Sequence, residues 1–469
     1  MKDRFSKKIK YALMAVCSGI LIVQCVYAVI WMLYNLNDIQ AFNETIKYME
    51  LANTLKGDSW YLLGYPAFLK LFIFLERIIG DYYVVLIYLV QVAVSYICFA
   101  YGCKVMAEIF YQKQIKLKRV LLPAAYILTV PIVWQMQFAL LPDALCLAML
   151  VLVSALITES IRKYRKLCVG KVICLFVIII LLGVFERHYF YAALLMMLCG
   201  MLIVLMRAIK NHIKEIKIYI TVTVILLSVC IMPVIMNVLN QVCVSEDSDV
   251  IYSVELDLWE RFVYPNIVFD YAYYTPEIKS ALTEETCVAG SEYWEYYRTK
   301  IASEIQQNAG KDAKHLYGEM VRISYAVHRG DIISQTVKES IAYILIPVAM
   351  EKYMYHNANS LYGYNVTRMY EQCPRITMDF LHVGMNGFVI VWVLGVLLFL
   401  LKLFQKRENA GRSIAVIAYY FCMIICGTVP IMLFSIAKFD YRIGLFSVYI
   451  YGAVSVLSIF ESIIKQAKE

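Results

Sequence analysis

The chain has 469 residues, 61% of them hydrophobic and 17% charged, with a net charge of +8. Charge this sparse, against about a quarter of residues in ordinary soluble domains, excludes a typical globular fold. The positive surplus lies in short loops between apolar runs, so it reads as membrane orientation and gives no argument for a nucleic-acid partner.

Ten apolar runs approach spanning length, near 11–33, 83–105, 119–136, 143–160, 170–186, 189–206, 217–238, 380–402, 413–436 and 443–462. They predict an all-α polytopic membrane protein of about 10 transmembrane helices. The first run exceeds a signal-peptide core and no small-x-small site follows it, so it counts as a helix. Basic residues fill the N-terminus (Lys2, Arg4, Lys7, Lys8, Lys10) and every second loop: Lys113 to Arg119, Arg162 to Lys171, Arg207 to Lys217 and Lys402 to Arg412. By the positive-inside rule these loops and both termini are cytoplasmic. The expected organisation is an N-terminal transmembrane core, 1–238, carrying a first outer loop at 34–82. An extracytoplasmic and mainly helical module follows at 239–379, and C-terminal transmembrane helices occupy 380–469. The module's apolar run, Ile341 to Met350, is too short to span.

The fourteen Cys lie mostly inside apolar runs, where a free thiol packs as a small hydrophobe. Cys243, Cys287 and Cys373 fall in the outer module without metal-ligand spacing, so no disulfide or zinc framework is expected. Asp247-Ser-Asp249 is an Asp-x-Asp in a solvated acidic stretch. No clear motif supports a divalent metal, which stays open, and no other cofactor is indicated. Tyr293-Trp294-Glu295-Tyr296-Tyr297 could stack on sugar rings, but packing within the module or the interfacial aromatic belt explains it more simply.

The first outer loop is the most informative segment. Tyr48, Leu51, Ala52 and Leu55 share one face of a helical pattern, and Glu44 opens that face one turn earlier. Asp38 lies six residues before Glu44. Other outer charges sit at helix ends: Asp143 after Pro142; Glu186, Arg187 and His188 in one turn; Lys438, Asp440 and Arg442 in another. Taken singly they have ordinary explanations. Asp38 and Asp143 can cap helices, and cations can snorkel. As a set they can line one outward cavity. Such a set suits sugar transfer from a polyprenyl-phosphate donor: a carboxylate takes the acceptor proton, cations stabilise the leaving phosphate, and aromatic rings pack on the lipid and sugar.

Glu44-x3-Tyr48-x-Glu50-Leu51-Ala52-x4-Gly57-Asp58 resembles the first outer loop of the GT-C superfamily of membrane glycosyltransferases, of the protein mannosyltransferase and aminoarabinose transferase type. Tyr65-Pro66-x-Phe68-Leu69, Gln91, Leu141-Pro142-Asp143, the Glu186-Arg187-His188-Tyr189 turn and Phe439-Asp440-Tyr441-Arg442 are similar to later features of that group, the last with the order reversed. The resemblance covers the first 210 residues or so and, loosely, the last 60. The chain departs from the pattern in having Glu for the usual Asp, no paired acid and no double-Pro motif, so Asp38 is the alternative base and the acceptor need not be protein. The resemblance implies Glu44 or Asp38 as catalytic base, with Tyr48, Tyr65, Asp143, Arg187, His188, Lys438 and Arg442 binding substrate. It implies a polyprenyl-phosphate sugar donor, a glycan, lipid or protein acceptor, and a site on the outer face of the cell membrane. A polysaccharide polymerase or ligase is the neighbouring alternative. A flippase for lipid-linked saccharides is the transporter alternative, although no internal repeat or midplane charge favours it.

Overall fold

The computed structural model describes residues 2–35, 43–55, 62–111, 113–162, 169–210, 253–292, 294–345, 386–397, 410–434 and 441–466, with short pieces at 223, 230–234 and 238. The described residues are helical and contain no β-strand. In chain order the first group is α1 Lys2–Asn35, α2 Asn43–Thr54, α3 Gly64–Ile73, α4 Tyr83–Tyr111, α5 Leu121–Leu128, α6 Pro131–Gln137, α7 Asp143–Arg162, α8 Val169–Phe185 and α9 Arg187–Lys210. The segment 239–379 carries, where it is described, α10 Val254–Leu258, α11 Glu284–Glu292, α12 Trp294–Ala309 and α13 Ala313–Leu345. The last group is α14 Asn386–Leu397, α15 Ala410–Phe434 and α16 Leu445–Gln466.

Among the described residues, four stretches are long and apolar enough to cross a membrane: Tyr83–Phe110, Asp143–Arg162, Arg187–Lys210 and Ala415–Leu433. Shorter apolar helices span Ser18–Ile30, Gly170–Phe185, Asn386–Leu397 and Leu445–Ile459. Large apolar side chains point outward in a helical stripe on α1, at Ile22, Val26, Val29 and Leu33, and on α4 at Leu89 and Ile97. A water-exposed surface seldom tolerates such stripes, whereas a lipid-facing one requires them.

One expected span takes a different form. The run 119–136 is two short helices, α5 and α6, separated at Thr129 and Val130. Pro131 opens α6 at a first-turn position, where its missing N–H does no harm, but it cannot continue α5. The run 217–238 lies largely outside the described residues.

Helix α7 is the hub of the bundle. It is buried at nearly every position from Asp143 to Thr158 and packs between α4, α8 and α9, while α9 packs in turn on α15. Gly64 brings α3 into backbone contact with the end of α8. A Cβ there would lie 2.5 Å from the Val184 carbonyl oxygen.

Residues 253–323 surround a separate hydrophobic core built on Trp259, Tyr264, Ile267, Ile278, Tyr317 and Met320. Ser253 caps α10 by accepting the Leu256 N–H at 3.2 Å. Helix α13 joins the two cores. Tyr317 and Met320 belong to the module, and Tyr343 and Ile344 belong to the bundle.

Candidate functional site

The two ends of the bundle carry different polar chemistry. At one end, the Arg162 guanidinium pairs with Glu108, Lys171 pairs with Glu159 at 2.5 Å, and the Tyr101 hydroxyl donates to Glu159 at 2.7 Å. These are the C-terminal ends of α4 and α7 and the start of α8, next to loops that the Lys and Arg count assigns to the cytoplasm. The opposite end is formed by the N-termini of α7 and α9, where Asp143, Glu186, Arg187 and His188 gather.

Glu186 is the single residue between α8 and α9. Its N–H bonds the Leu182 carbonyl at 2.8 Å, and its carbonyl accepts from Phe190. The backbone at this junction is therefore satisfied by both helices, which holds the carboxylate in place. One carboxylate oxygen accepts from the Tyr48 hydroxyl at 3.2 Å and the other pairs with His188 Nδ1 at 2.9 Å. Glu186 and His188 keep just over a fifth of their side-chain surface exposed, 22% and 23%, so this pair is the accessible part of the cluster. Behind it, Tyr189 on α9 donates to Asp143 at the start of α7 at 3.1 Å, and both residues are buried. Arg187 is also buried. Two helix N-termini with a buried guanidinium form an environment that favours an anion.

Tyr48 and Tyr65 meet edge to face with ring centroids 5.3 Å apart, which docks α2 against α3. Tyr65 is fully buried and donates to Gln91 Oε1 at 3.1 Å. Gln91 Nε2 then donates to the carbonyls of Gln137 and Ala139, at 2.8 and 3.1 Å. Ser95 donates to Gln137 Oε1 at 2.9 Å and to the Ala144 carbonyl at 3.4 Å. This network ties the loop before α7 to α4 and thereby fixes where Asp143 begins its helix.

Of the residues singled out from sequence, Tyr48, Tyr65, Asp143, Arg187 and His188 are therefore brought together at one end of the bundle. Glu44 lies in the first turn of α2, one turn before Tyr48, and its side chain is outside the description. Asp38 and Lys438 fall outside the described residues. Arg442 lies in the helical turn Tyr441–Gly444, its side chain likewise outside. Asp247, Asp249 and the side chains of Tyr293 to Tyr297 also lie outside.

Two participants were not singled out beforehand. Glu186 was noted as part of a charged turn, yet it joins Tyr48 to His188. Asp257, buried in α10 of the module, is near enough for its charge to act on His188, as does that of Arg187. Nothing in the sequence pairs Asp257 with a turn so distant in the chain.

Among the described residues, the one group of three metal-ligating side chains is Cys199, Cys422 and Cys426, whose sulfurs lie within 4.8 Å of one another. They fill the contact between α9 and α15 inside the apolar bundle, where thiols pack as small hydrophobes.

No protein-family model matches the chain, and neither a curated protein nor a solved structure shows significant similarity to it.

Proposed function

We propose that the chain is a membrane glycosyltransferase that moves a sugar from a polyprenyl-phosphate donor to an acceptor hydroxyl at the outer face of the membrane. The observation that carries this reading is the Tyr48–Glu186–His188 chain of contacts, set at two helix N-termini beside buried Arg187. In this reaction the acceptor oxygen forms a bond to the anomeric carbon, and the bond from that carbon to the phosphate oxygen breaks. The acceptor proton needs a base, and the departing lipid phosphate needs positive charge. The Glu186–His188 pair supplies an accessible proton acceptor whose ring is held by a carboxylate, the arrangement that orients a catalytic imidazole. Glu44, one turn from Tyr48, is the second candidate base. Arg187 and the helix N-termini supply the positive field for the phosphate.

The resemblance of the first outer loop to GT-C enzymes supports the same reading. So does the way α2 is held against the α8–α9 turn, since a helix from an outer loop would otherwise have little reason to be docked on a charged junction. Turnover of a radiolabelled polyprenyl-phosphate sugar by the purified chain tests it. Glu186→Gln and His188→Ala should each lower turnover by about 100-fold, the usual scale for loss of a positioned base. Unchanged turnover in both would remove this cluster from the chemistry.

A further inference from the structure

The contact between α9 and α15 holds a cluster that the proposed reaction does not use. Cys199 lies near the middle of α9, and Cys422 and Cys426 lie in α15 within the apolar stretch Ala415–Leu433. Cys422 and Cys426 are four residues apart, so their side chains stack on one face of α15 a turn from each other. Cys199 meets that face from α9. The three sulfurs lie within 4.8 Å of one another, and the Cys426 thiol donates to the Cys199 sulfur at 3.7 Å.

Packing accounts for a thiol at any one of these positions, because a buried thiol is a small hydrophobe. It does not account for three that converge. The other cysteines among the described residues form no such group. The two helices are also close here. A Cβ at Gly427, the residue after Cys426, would lie 2.5 Å from Met196 Cε and 2.5 Å from the Phe446 ring. With no side chain at Gly427, α9 seats against α15 at the level of the cysteines. Met196, one turn before Cys199, brings a thioether to the same contact.

Three sulfurs at this spacing can close on one ion. Metal–thiolate bonds of about 2.3 Å, set in a trigonal plane, put the sulfurs about 4 Å apart. The observed spacing needs only a small adjustment to reach that figure. Cys199 and Cys422 are half-buried, so the cluster has an open edge, and Cys426 is buried behind them.

The donor set narrows the choice of ion. Sulfur donors favour copper(I) and zinc(II), whereas magnesium, calcium and manganese take oxygen. Structural zinc is almost always four-coordinate, and among the described residues no histidine or carboxylate joins the three sulfurs. Copper(I) is satisfied by two or three sulfurs. Charge is also balanced for it. Uncompensated charge is costly in an apolar interior, and one copper(I) exchanged for one thiol proton leaves the site neutral.

We propose that Cys199, Cys422 and Cys426 form a binding site for a soft monovalent cation, copper(I), at the seam between α9 and α15. One thiol loses its proton to solvent as its sulfur bonds the ion. The other two coordinate as thiols, and nothing is oxidised or reduced. The inference stands on this helix contact and does not rest on the transferase reading. Anaerobic titration of the purified full chain in nanodiscs with copper(I), in competition with bicinchoninate, tests it. Wild type should retain one copper(I) against the competitor. Cys199→Ala, Cys422→Ala and Cys426→Ala should each weaken that binding by about tenfold or more, since even the outer partners of a metal ligand are worth that much. Cys174→Ala, at an exposed thiol outside the cluster, should bind as wild type does. X-ray absorption on the wild-type complex needs no variant to fold and should show three sulfur neighbours at about 2.3 Å. Equal affinity in wild type and the three cluster variants, or nitrogen and oxygen neighbours in place of sulfur, overturns the proposal. Tighter retention of zinc(II) than of copper(I) by wild type overturns the assignment to a monovalent ion.

Discussion

Tyr48 and Glu186 are 138 positions apart in the chain, yet the tyrosine hydroxyl donates to the carboxylate across 3.2 Å. The contact links α2 to the α8–α9 junction and helps to hold His188, which meets the other oxygen of the same carboxylate. Removing only the hydroxyl isolates its contribution. Tyr48→Phe should keep the ring contact with Tyr65 and lower stability by about 1 kcal/mol, the net value of one hydrogen bond. It should lower transfer more than that figure implies, because the carboxylate loses an orienting donor. Thermal unfolding and turnover on the same preparation separate the two effects. Equal small losses in both would make the contact structural only.

Gly64 sets how closely α3 approaches α8. A Cβ at this position meets backbone at 2.5 Å, and backbone cannot move aside as a side chain end can. Gly64→Ala should cost about 1–3 kcal/mol, the range for overpacking a close contact. The shift should also disturb Tyr65 and through it Gln91. A thermal midpoint equal to that of wild type would show that the two helices are less tightly apposed.

The buried Arg261–Glu339 pair gives a double-mutant test of the module. Arg261→Met alone strands a buried carboxylate and should cost about 3–5 kcal/mol. The double replacement Arg261→Met with Glu339→Leu should recover most of that loss, because an apolar pair of similar size avoids desolvation altogether. Denaturant or thermal unfolding of both variants checks this. Equal destabilisation of the single and double variants would mean that the two side chains are not coupled.

Orientation is testable without activity. The Lys and Arg loops lead to the expectation that the ends of α7 and α9 that carry Arg162 and Arg207 are cytoplasmic and that the Glu186 end lies on the opposite side. Single cysteines at 165 and 284, in a background lacking the native thiols, should label from the inside and the outside respectively. Labelling of position 284 from the inside would invert the orientation and the side of the proposed chemistry.

Much of this organisation was legible in the sequence, for identifiable reasons. Helical content followed from long apolar runs. The grouping of Asp143, Arg187 and His188 followed from polar residues confined to the ends of short hairpins, where connectivity leaves them little freedom. The break within the run 119–136 was not legible because a hydropathy average takes no account of Pro131, which divides α5 from α6. Asp257 was not legible because its relation to His188 depends on how a module with its own core docks on the bundle, and no local periodicity encodes that. Tyr65 was expected to bind substrate. Its full burial and its hydrogen bond to Gln91 were not legible, since they depend on how α3 packs against α4.

The central claim is that the end of the bundle bearing Glu186, His188 and Arg187 transfers sugar from a lipid phosphate. The most direct measurement is turnover of a radiolabelled polyprenyl-phosphate sugar by purified wild-type chain, Glu186→Gln and Arg187→Lys, with donor concentration varied. Wild type should release free polyprenyl phosphate together with labelled product. Glu186→Gln should lose about 100-fold in kcat. Arg187→Lys should recover only part of wild-type donor use, because an ammonium cannot hold two phosphate oxygens as a guanidinium does. Wild-type rates in both variants, or no release of polyprenyl phosphate by the wild-type chain with any such donor, would contradict the account.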